Sequence, residues 1–198
     1  MLKLFILLSK SKFGHPTVMF RLISRLMASN KPVLANTPVP VNKSKKRPAW
    51  SMYPKLHDKV LEKLKENQLN HTFNPKDEEH SALKTYDTNI MGRFRCYNDE
   101  CSSPGWGSKV VAITIREFSG NRYNARVYHQ RCRECEKVGR LIINKSSYVD
   151  RVTYRIKKWN GVNMERPKWE EYSGPPHDRK LCEGCRLGRC KKGKSDDE

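Results

Sequence analysis

The spacing of hydrophobic residues in the second half of the chain is typical of short β-strands. One strand is indicated by four positions that alternate with polar neighbours: Tyr123, Ala125, Val127 and His129. The β-branched run 110–115 precedes it, and Ser119-Gly120-Asn121 lies between the two as a turn sequence. Together these segments predict a β-hairpin that leads to Cys132. Further short strands are predicted at 92–95 and 141–143.

Two segments have helical spacing instead. The first begins at Pro54, which suits a first helical turn, and continues to about Gln68. Its apolar stripe is formed by Leu56, Val60, Leu61 and Leu64. The second is capped by Ser146 or Ser147 and runs through Trp159, with Asn160-Gly161 ending it. Its stripe is formed by Val149, Val152, Ile156 and Trp159. Residues 28–50 and 69–88 have no hydrophobic period and are predicted to be linker and polar loop.

The composition indicates a basic chain of which only part folds into a hydrophobic core. Hydrophobic residues make up 36% of the 198 residues, which predicts that part of the chain is not packed. The formal net charge is +19. Residues 1–57 hold eleven Lys and Arg and no acid, so they carry +11 and residues 58–198 carry the remaining +8. This charge favours an anionic partner such as RNA, DNA or membrane lipid. The alternative is a solvated surface that serves solubility, with a targeting segment.

The N-terminal segment has the composition of a mitochondrial presequence. Its longest apolar run, Leu4–Leu8, is too short to span a membrane and short for the core of a signal peptide. Apolar residues fall on one helical face and Arg21 and Arg25 on another. The alternative is that translation begins at Met19 or Met27. We therefore expect an intracellular protein without a transmembrane span, cytoplasmic or nuclear, or mitochondrial if this arm is a presequence.

Cysteine is confined to the chain after residue 95 and occurs in closely spaced sets. The seven are Cys96, Cys101, Cys132, Cys135, Cys182, Cys185 and Cys190. A Cys-x2-Cys turn places two thiolates on one side of a tight knuckle, and two such turns complete a tetrahedral zinc site. The odd number, the pairing and the lack of a signal peptide oppose the alternative, a disulfide scaffold.

Two zinc ions need eight ligands, and a histidine can supply the eighth. His177 lies five residues before Cys182 and could close a local site. One predicted site comprises Cys96, Cys101, Cys132 and Cys135, and the other comprises His177, Cys182, Cys185 and Cys190. Crossed pairing of the cysteine pairs stays an alternative. His129 is the rival histidine, although its position in an alternating strand favours a packed or surface role.

Nothing in the sequence indicates catalysis. Sites saturated by thiolates have no open coordination position, which a catalytic zinc needs. The chain has no His-Glu-x-x-His, and no histidine is followed two residues later by Glu, as the zinc deaminases require. We therefore expect a protein that is not an enzyme.

The motifs of the second half occur in a distinctive order. They are Gly92-x-Phe94-x-Cys96, Trp106-x-Ser108-x-x-Val111, Tyr128-x-Gln130-x-Cys132-x-x-Cys135, the 152–159 helix, Gly174-Pro175-Pro176-His177, Cys182-Glu183-Gly184-Cys185 and Leu187-Gly188-x-Cys190. This order resembles the 3CxxC-type zinc-finger family, which includes the receptor-transporting proteins and the C-terminal domain of zygote-arrest proteins. The resemblance covers about half the chain and implies that His177 and Cys190 are ligands. The first pair departs from the family pattern, since it is Cys-x4-Cys rather than Cys-x2-Cys.

The resemblance also implies a choice of functions. Receptor-transporting proteins assist the delivery of receptors to the cell surface and carry a C-terminal membrane anchor. The present sequence ends eight residues after Cys190 without one, so trafficking by that route is not expected. Zygote-arrest proteins bind RNA through this domain, and RNA binding needs no anchor.

The combined expectation is an α+β fold. We predict a small zinc-stabilised domain at 89–192 with short antiparallel strands in zinc-ribbon-like hairpins and one packed helix. A largely disordered, acid-free basic arm at 1–50 and a helix with a polar linker at 51–88 precede it, and a charged tail at 193–198 follows.

Two functions compete for this domain. The first is RNA or other nucleic-acid binding through eight cations: Arg131, Arg133, Lys157, Lys158, Arg186, Arg189, Lys191 and Lys192. Tyr97 or Trp106 could stack on bases. The alternative for Trp106 and Trp159 is a place in the core. The second function is a protein-interaction or chaperone-like adaptor, in which the Pro54–Gln68 helix or the N-terminal arm contacts a protein partner.

Overall fold

The computed structural model describes residues 47–165 and 176–193 of the chain. The predictions for the arm, apart from its last residues, and for almost all of the charged tail lie outside the described residues. Among those that are described, no helix is both long enough and apolar enough to cross a membrane.

A six-stranded sheet forms the centre of the fold. Its strands are β1 (Trp50–Ser51), β2 (Thr72–Phe73), β3 (Lys84–Arg95), β4 (Trp106–Phe118), β5 (Arg122–Tyr128) and β6 (Arg140–Ile143). The strand order is β1-β5-β4-β3-β6, and all neighbours along this path are antiparallel. The short β2 runs parallel to β5 and pairs with its first residues.

Three α-helices accompany the sheet within the described residues. They are α1 (His57–Lys65), which follows a 3-10 turn at Pro54–Leu56, α2 (Lys145–Trp159) and α3 (Glu183–Arg186). Two further 3-10 turns lie at Glu79–Ser81 and Lys191–Gly193. The predicted α+β class is confirmed.

The predicted hairpin is formed by β4 and β5. Its turn contains Gly120 and Asn121, both with positive φ angles, of +71° and +52°. Glycine and asparagine reach this region at lower cost than other residues, which explains the turn sequence. The register that follows pairs Glu117 with Tyr123 and Ile113 with Val127.

One face of the sheet packs against α1 and α2. Val111, Ile113 and Ile115 of β4 point to this face and are fully buried. Val60 of α1 and Val152 of α2 are fully buried against the same core. Burial of each aliphatic side chain contributes about 1.5–3 kcal/mol, so this face provides most of the apolar stabilisation.

The opposite face of the sheet is covered by polar and cysteine-rich segments. Ala112 and Tyr128 pack there against Cys182 and Cys190. Farther along the same face, the fully buried guanidinium of Arg116 donates to Asp77 over 2.8 Å. Both faces of β4 are therefore covered by protein from Val111 to Phe118.

The polar loop predicted at 69–88 is wrong in part. This segment contains β2, the 3-10 turn Glu79–Ser81 and the first five residues of β3. The strand shows no apolar alternation here because polar residues are satisfied on both faces. Thr114, for example, donates to Asp87 over 2.6 Å.

The predicted helix ends also need correction. Asn144, rather than Ser146 or Ser147, caps α2, since its side chain accepts from the Ser147 backbone N–H over 3.0 Å. The first helix ends at Lys65 rather than Gln68, which has a φ of +59° that no α-helical residue adopts.

Candidate metal centre

The first group of cysteines lies where β3 and the end of the hairpin meet. Cys96 directly follows β3, and Cys132 and Cys135 lie in a knuckle after β5. The knuckle is closed by the Cys132 N–H, which donates to Lys137 O over 3.0 Å, and by the Glu136 N–H, which donates to Cys132 O over 2.9 Å. Glu136 has a φ of +54°, so the turn is tight.

Cys101 reaches this group despite its longer spacing from Cys96. Its N–H donates to Asn98 O over 2.9 Å, which folds the Cys-x4-Cys segment into a turn. Lys137 holds the same turn from the knuckle by donating to Asn98 Oδ1 over 2.8 Å. Two additional residues therefore do not prevent the two cysteines from sharing an ion.

The second group is assembled around α3. Cys182 precedes this helix, Cys185 lies within it, and Cys190 follows it after a turn. Backbone pairing fixes the segment to the hairpin, because Glu183 N–H donates to His129 O over 3.0 Å. Cys182 and Cys190 are each 1% exposed.

The distances within both groups fit tetrahedral zinc. The metal-ligand atoms of each group lie within 4.8 Å of one another. In the first group, Cys96 Sγ is 3.5 Å from Cys135 Sγ and Cys101 Sγ is 3.7 Å from Cys132 Sγ. A Zn–S bond of about 2.3 Å implies a tetrahedral S–S edge of about 3.8 Å. Each group can therefore hold one zinc ion.

His177 contributes to the second group through Nε2. This atom lies 3.2 Å from Cys185 Sγ and 3.6 Å from Cys190 Sγ. Zn–N and Zn–S bonds of about 2.0 and 2.3 Å imply an N–S edge of about 3.5 Å, which agrees with both distances. The groups are thus the two that the spacing predicted, without crossed pairing.

His129, the rival histidine, has a different role. It is 7% exposed, and its Nε2 lies 2.9 Å from Ser51 Oγ of β1. Burial lowers its pKa below the ordinary value of 6.5, because the charged imidazolium is poorly solvated there. His129 is a packed residue that helps to fix the edge of the sheet.

Two thiols, one in each group, have lowered pKa values. The pKa of Cys190 is lowered to about 4 by a hydrogen bond from Cys182 and by the His177 ring. Burial would raise the pKa of Cys132, but hydrogen bonds from Ser103 and from two backbone N–H groups lower it to about 6. In contrast, burial raises the pKa of Cys96 to about 12. Zinc binds the thiolate form, so metal binding is coupled to loss of the thiol protons.

The eight predicted nucleic-acid contacts fall into two sets. Four cations already have acidic partners: Arg131 with Glu183, Lys157 with Glu66, Arg186 with Glu183, and Arg189 with Glu79 and Asp87. The other four are exposed: Arg133, Lys158, Lys191 and Lys192. None of these four forms an ion pair within 47–165 and 176–193.

Lys157 is the clearest correction among the paired set. It is 5% exposed, and its ammonium lies 2.9 Å from Glu66 Oε2. The sequence could not show this, because Glu66 lies 91 residues away, at the C-terminal cap of α1. Lys157 is unavailable to a phosphate unless this pair breaks.

The tryptophans are packed as the core alternative predicted. Trp106 stacks on Phe94 with ring centroids 5.2 Å apart, and its indole N–H donates to Gln130 over 3.1 Å. Trp159 packs partly buried against the helical core. Trp106 also lines a cavity of about 250 Å³, together with Ser103 near the first group and His177 of the second.

Sequence reasoning missed a set of exposed arginines beside the first group. Arg93 and Arg95 lie on β3, and Arg140 lies on β6. All three are exposed, and none forms an ion pair with a described residue. The alternation Arg93-Phe94-Arg95 was the available signal, since a buried Phe94 places both neighbours on the other face.

The comparison with protein families agrees with this geometry. The family described as a zinc-binding domain, Zn_ribbon_3CxxC, matches residues 89–188. This range covers half of the chain and includes His177 and every cysteine except Cys190. Searches among curated proteins and among solved structures found no match. With both four-ligand groups in place, the chain belongs to the 3CxxC-type zinc-binding family.

Proposed function

We propose that this protein is an RNA-binding module in which two zinc ions serve structure. The observation that carries the proposal is the excess of basic over acidic side chains in the folded domain. The described residues contain 28 Lys and Arg against 16 Asp and Glu, a net charge of +12. A basic surface of this size attracts polyanions and supports contacts with phosphates.

The unpaired cations lie in several parts of the domain. Arg133 is in the knuckle of the first group, Lys158 is on α2, and Lys191 and Lys192 follow Cys190. The ion pairs of Arg131 and Arg189 instead hold segments of the domain together. The paired cations therefore serve the fold and the unpaired ones are available to an anionic partner.

The donor sets support a structural role for the metal. Each group offers four side-chain atoms, either four thiolates or three thiolates and an imidazole. Four protein ligands saturate a tetrahedral zinc ion, whereas catalytic zinc keeps a position for water or substrate. We therefore include in the proposal that the protein is not an enzyme.

The adaptor alternative receives less support from the described residues. It relied in part on the first helix as a docking surface. The apolar residues Leu56, Val60 and Leu64 are only 6%, 0% and 0% exposed, because they pack into the core. That helix therefore presents mainly polar residues to a partner.

The experiment is a salt titration of RNA binding. The zinc-loaded full chain is mixed with a fluorescein-labelled 20-nucleotide single-stranded RNA, and anisotropy is followed between about 50 and 200 mM salt. Phosphate contacts must weaken with salt, by about 0.7 in the logarithmic slope for each single-strand phosphate neutralised. A DNA of the same sequence reports whether the 2′-hydroxyl is recognised.

Two results would overturn the proposal. One is absent binding, and the other is binding that does not change with salt. If either result is accompanied by a stable protein partner that co-purifies after nuclease treatment, the adaptor function is favoured instead.

A further inference from the structure

We infer that single-stranded nucleic acid lies on one exposed surface of the sheet, which we call the arginine face. It consists of Arg93 and Arg95 of β3, Arg140 of β6, and Tyr97, which follows Cys96. The inference rests on the proposed function. It adds which surface of the domain binds the nucleic acid and that the bound nucleic acid is single-stranded.

The pleat of the sheet places the three arginines together. Phe94 and Leu141 are paired across β3 and β6, and both point into the core, with exposures of 2% and 8%. Their neighbours must point to the opposite face. Arg95 is therefore directly opposite Arg140.

Two arginines in direct cross-strand register oppose folding unless something neutralises them. Like charges directly opposite each other in a sheet are destabilising. Arg95 and Arg140 have no acidic partner in the described part of the chain, although Arg116 and Arg126 on the same side of the sheet share Asp77. A bound polyanion would supply the missing negative charge.

Tyr97 adds an aromatic platform to this surface. Its side chain is 37% exposed, and its hydroxyl accepts from Arg140 over 2.5 Å. The Arg47 guanidinium lies 3.7 Å from the ring centroid. Because Arg47 covers one face of the ring, an unpaired base would stack on the other face while the neighbouring arginines meet its phosphates.

The shape of the surface suits a flexible single strand. Gly107 of β4 pairs with Arg93 and is exposed, and a Cβ atom added to it would meet nothing within 4 Å. Arg93 and Arg95 are separated by about 6.6 Å along the strand. This separation is comparable to the distance between successive phosphates, so adjacent arginines can contact adjacent nucleotides. In a duplex the bases are paired and stacked inside the helix, so none of them could stack on the Tyr97 ring.

The test compares two double variants with equal charge change. Arg95→Gln with Arg140→Gln alters the arginine face. Lys59→Gln with Lys65→Gln is the control, since both lysines are exposed on α1, which packs on the other side of the sheet. Each zinc-loaded full-length variant is titrated with the labelled single-stranded RNA described above, with the DNA of the same sequence and with an RNA duplex.

We expect the arginine-face variant to bind at least about 10-fold more weakly than the control at 100 mM salt. Its logarithmic salt slope should fall by about 1.4, because two single-strand phosphate contacts are lost. Tyr97→Ala should weaken binding by about 5-fold or more through loss of stacking, whereas Tyr97→Phe should bind within about 3-fold of wild type. Zinc content and thermal melting of each variant show whether the fold is intact.

The outcomes separate the inference from the proposed function. If wild type does not bind either strand type, the proposed function fails. If wild type binds but the arginine-face variant binds like the lysine control, RNA binding stands and this surface assignment is wrong. A preference for the duplex, or equal binding by Tyr97→Ala and Tyr97→Phe, would overturn the single-strand assignment.

Discussion

Gly184 lies so close to Ala112 that a Cβ atom added to Gly184 would be 2.4 Å from Ala112 Cβ. Gly184 is the third residue of the 182–185 knuckle, and Ala112 is in the middle of β4. The second metal group is therefore seated directly on the sheet, and its position depends on two small residues that face each other.

Substitution of Gly184 by Ala should destabilise the fold. The added methyl group must displace either the knuckle or β4, and overpacking of this kind costs about 1–3 kcal/mol. Urea unfolding of the zinc-loaded protein measures the change. Gly107→Ala is the matched control, because a Cβ there meets nothing within 4 Å. Equal free energies of unfolding for the two variants would show that the knuckle does not press on the sheet.

Removal of a single metal ligand should cost the protein one of its two zinc ions. We expect two zinc ions per wild-type chain and a value close to one for His177→Ala, since three remaining thiolates bind zinc more weakly. Elemental analysis after gel filtration measures the stoichiometry. His80→Ala controls for loss of an exposed histidine and should keep both ions.

Removal of zinc by a chelator is a second test of whether the fold depends on the metal. Since thiolate binding contributes directly to folding free energy, removal of both ions should abolish the cooperative melting transition. A chelated chain with unchanged circular dichroism and melting would contradict a structural role for the metal.

The metal ligands could be predicted because covalent spacing brings them together locally. Cys182 and Cys185 share a knuckle whatever the rest of the chain does, and His177 is near enough in sequence to join them. Ion pairing could not be predicted in the same way. Glu66, the partner of Lys157, directly follows α1 and is brought near only when α1 and α2 pack.

The early part of β3 was missed for a related physical reason. A strand is recognised from sequence when one face is apolar and the other polar. Around Asp87 the strand instead pairs polar groups across the sheet, as in its hydrogen bond with Thr114. Those partners are known only once the β3–β4 register exists.

His129 should make stability fall as the pH falls below about 6.5. Its pKa is lowered by burial in the folded protein, so the unfolded chain binds more protons in that range. Protonation therefore favours the unfolded chain, and the contribution of the neutral ring is fully present only above its unfolded pKa. Melting between pH 7.5 and 5.5, with zinc content checked at each pH, measures the effect. His129→Gln should flatten this dependence, and an unchanged slope in that variant would exclude His129 as its source.

Asp77 should matter far more to stability than its exposed counterpart Asp150. It accepts from Arg116, whose side chain is 0% exposed, over 2.8 Å, and it also pairs with Arg126 over 2.6 Å. Asp77→Asn would leave a buried guanidinium without its closest carboxylate, and breaking a buried pair in this way costs about 3–5 kcal/mol. The Lys63–Asp150 pair has the same chemistry, but its side chains are 46% and 49% exposed, so Asp150→Asn should cost less than about 1 kcal/mol. Denaturant unfolding of both zinc-loaded variants compares the two. Similar losses would mean that Glu79, which lies 3.1 Å from Arg116, is sufficient to compensate the buried charge.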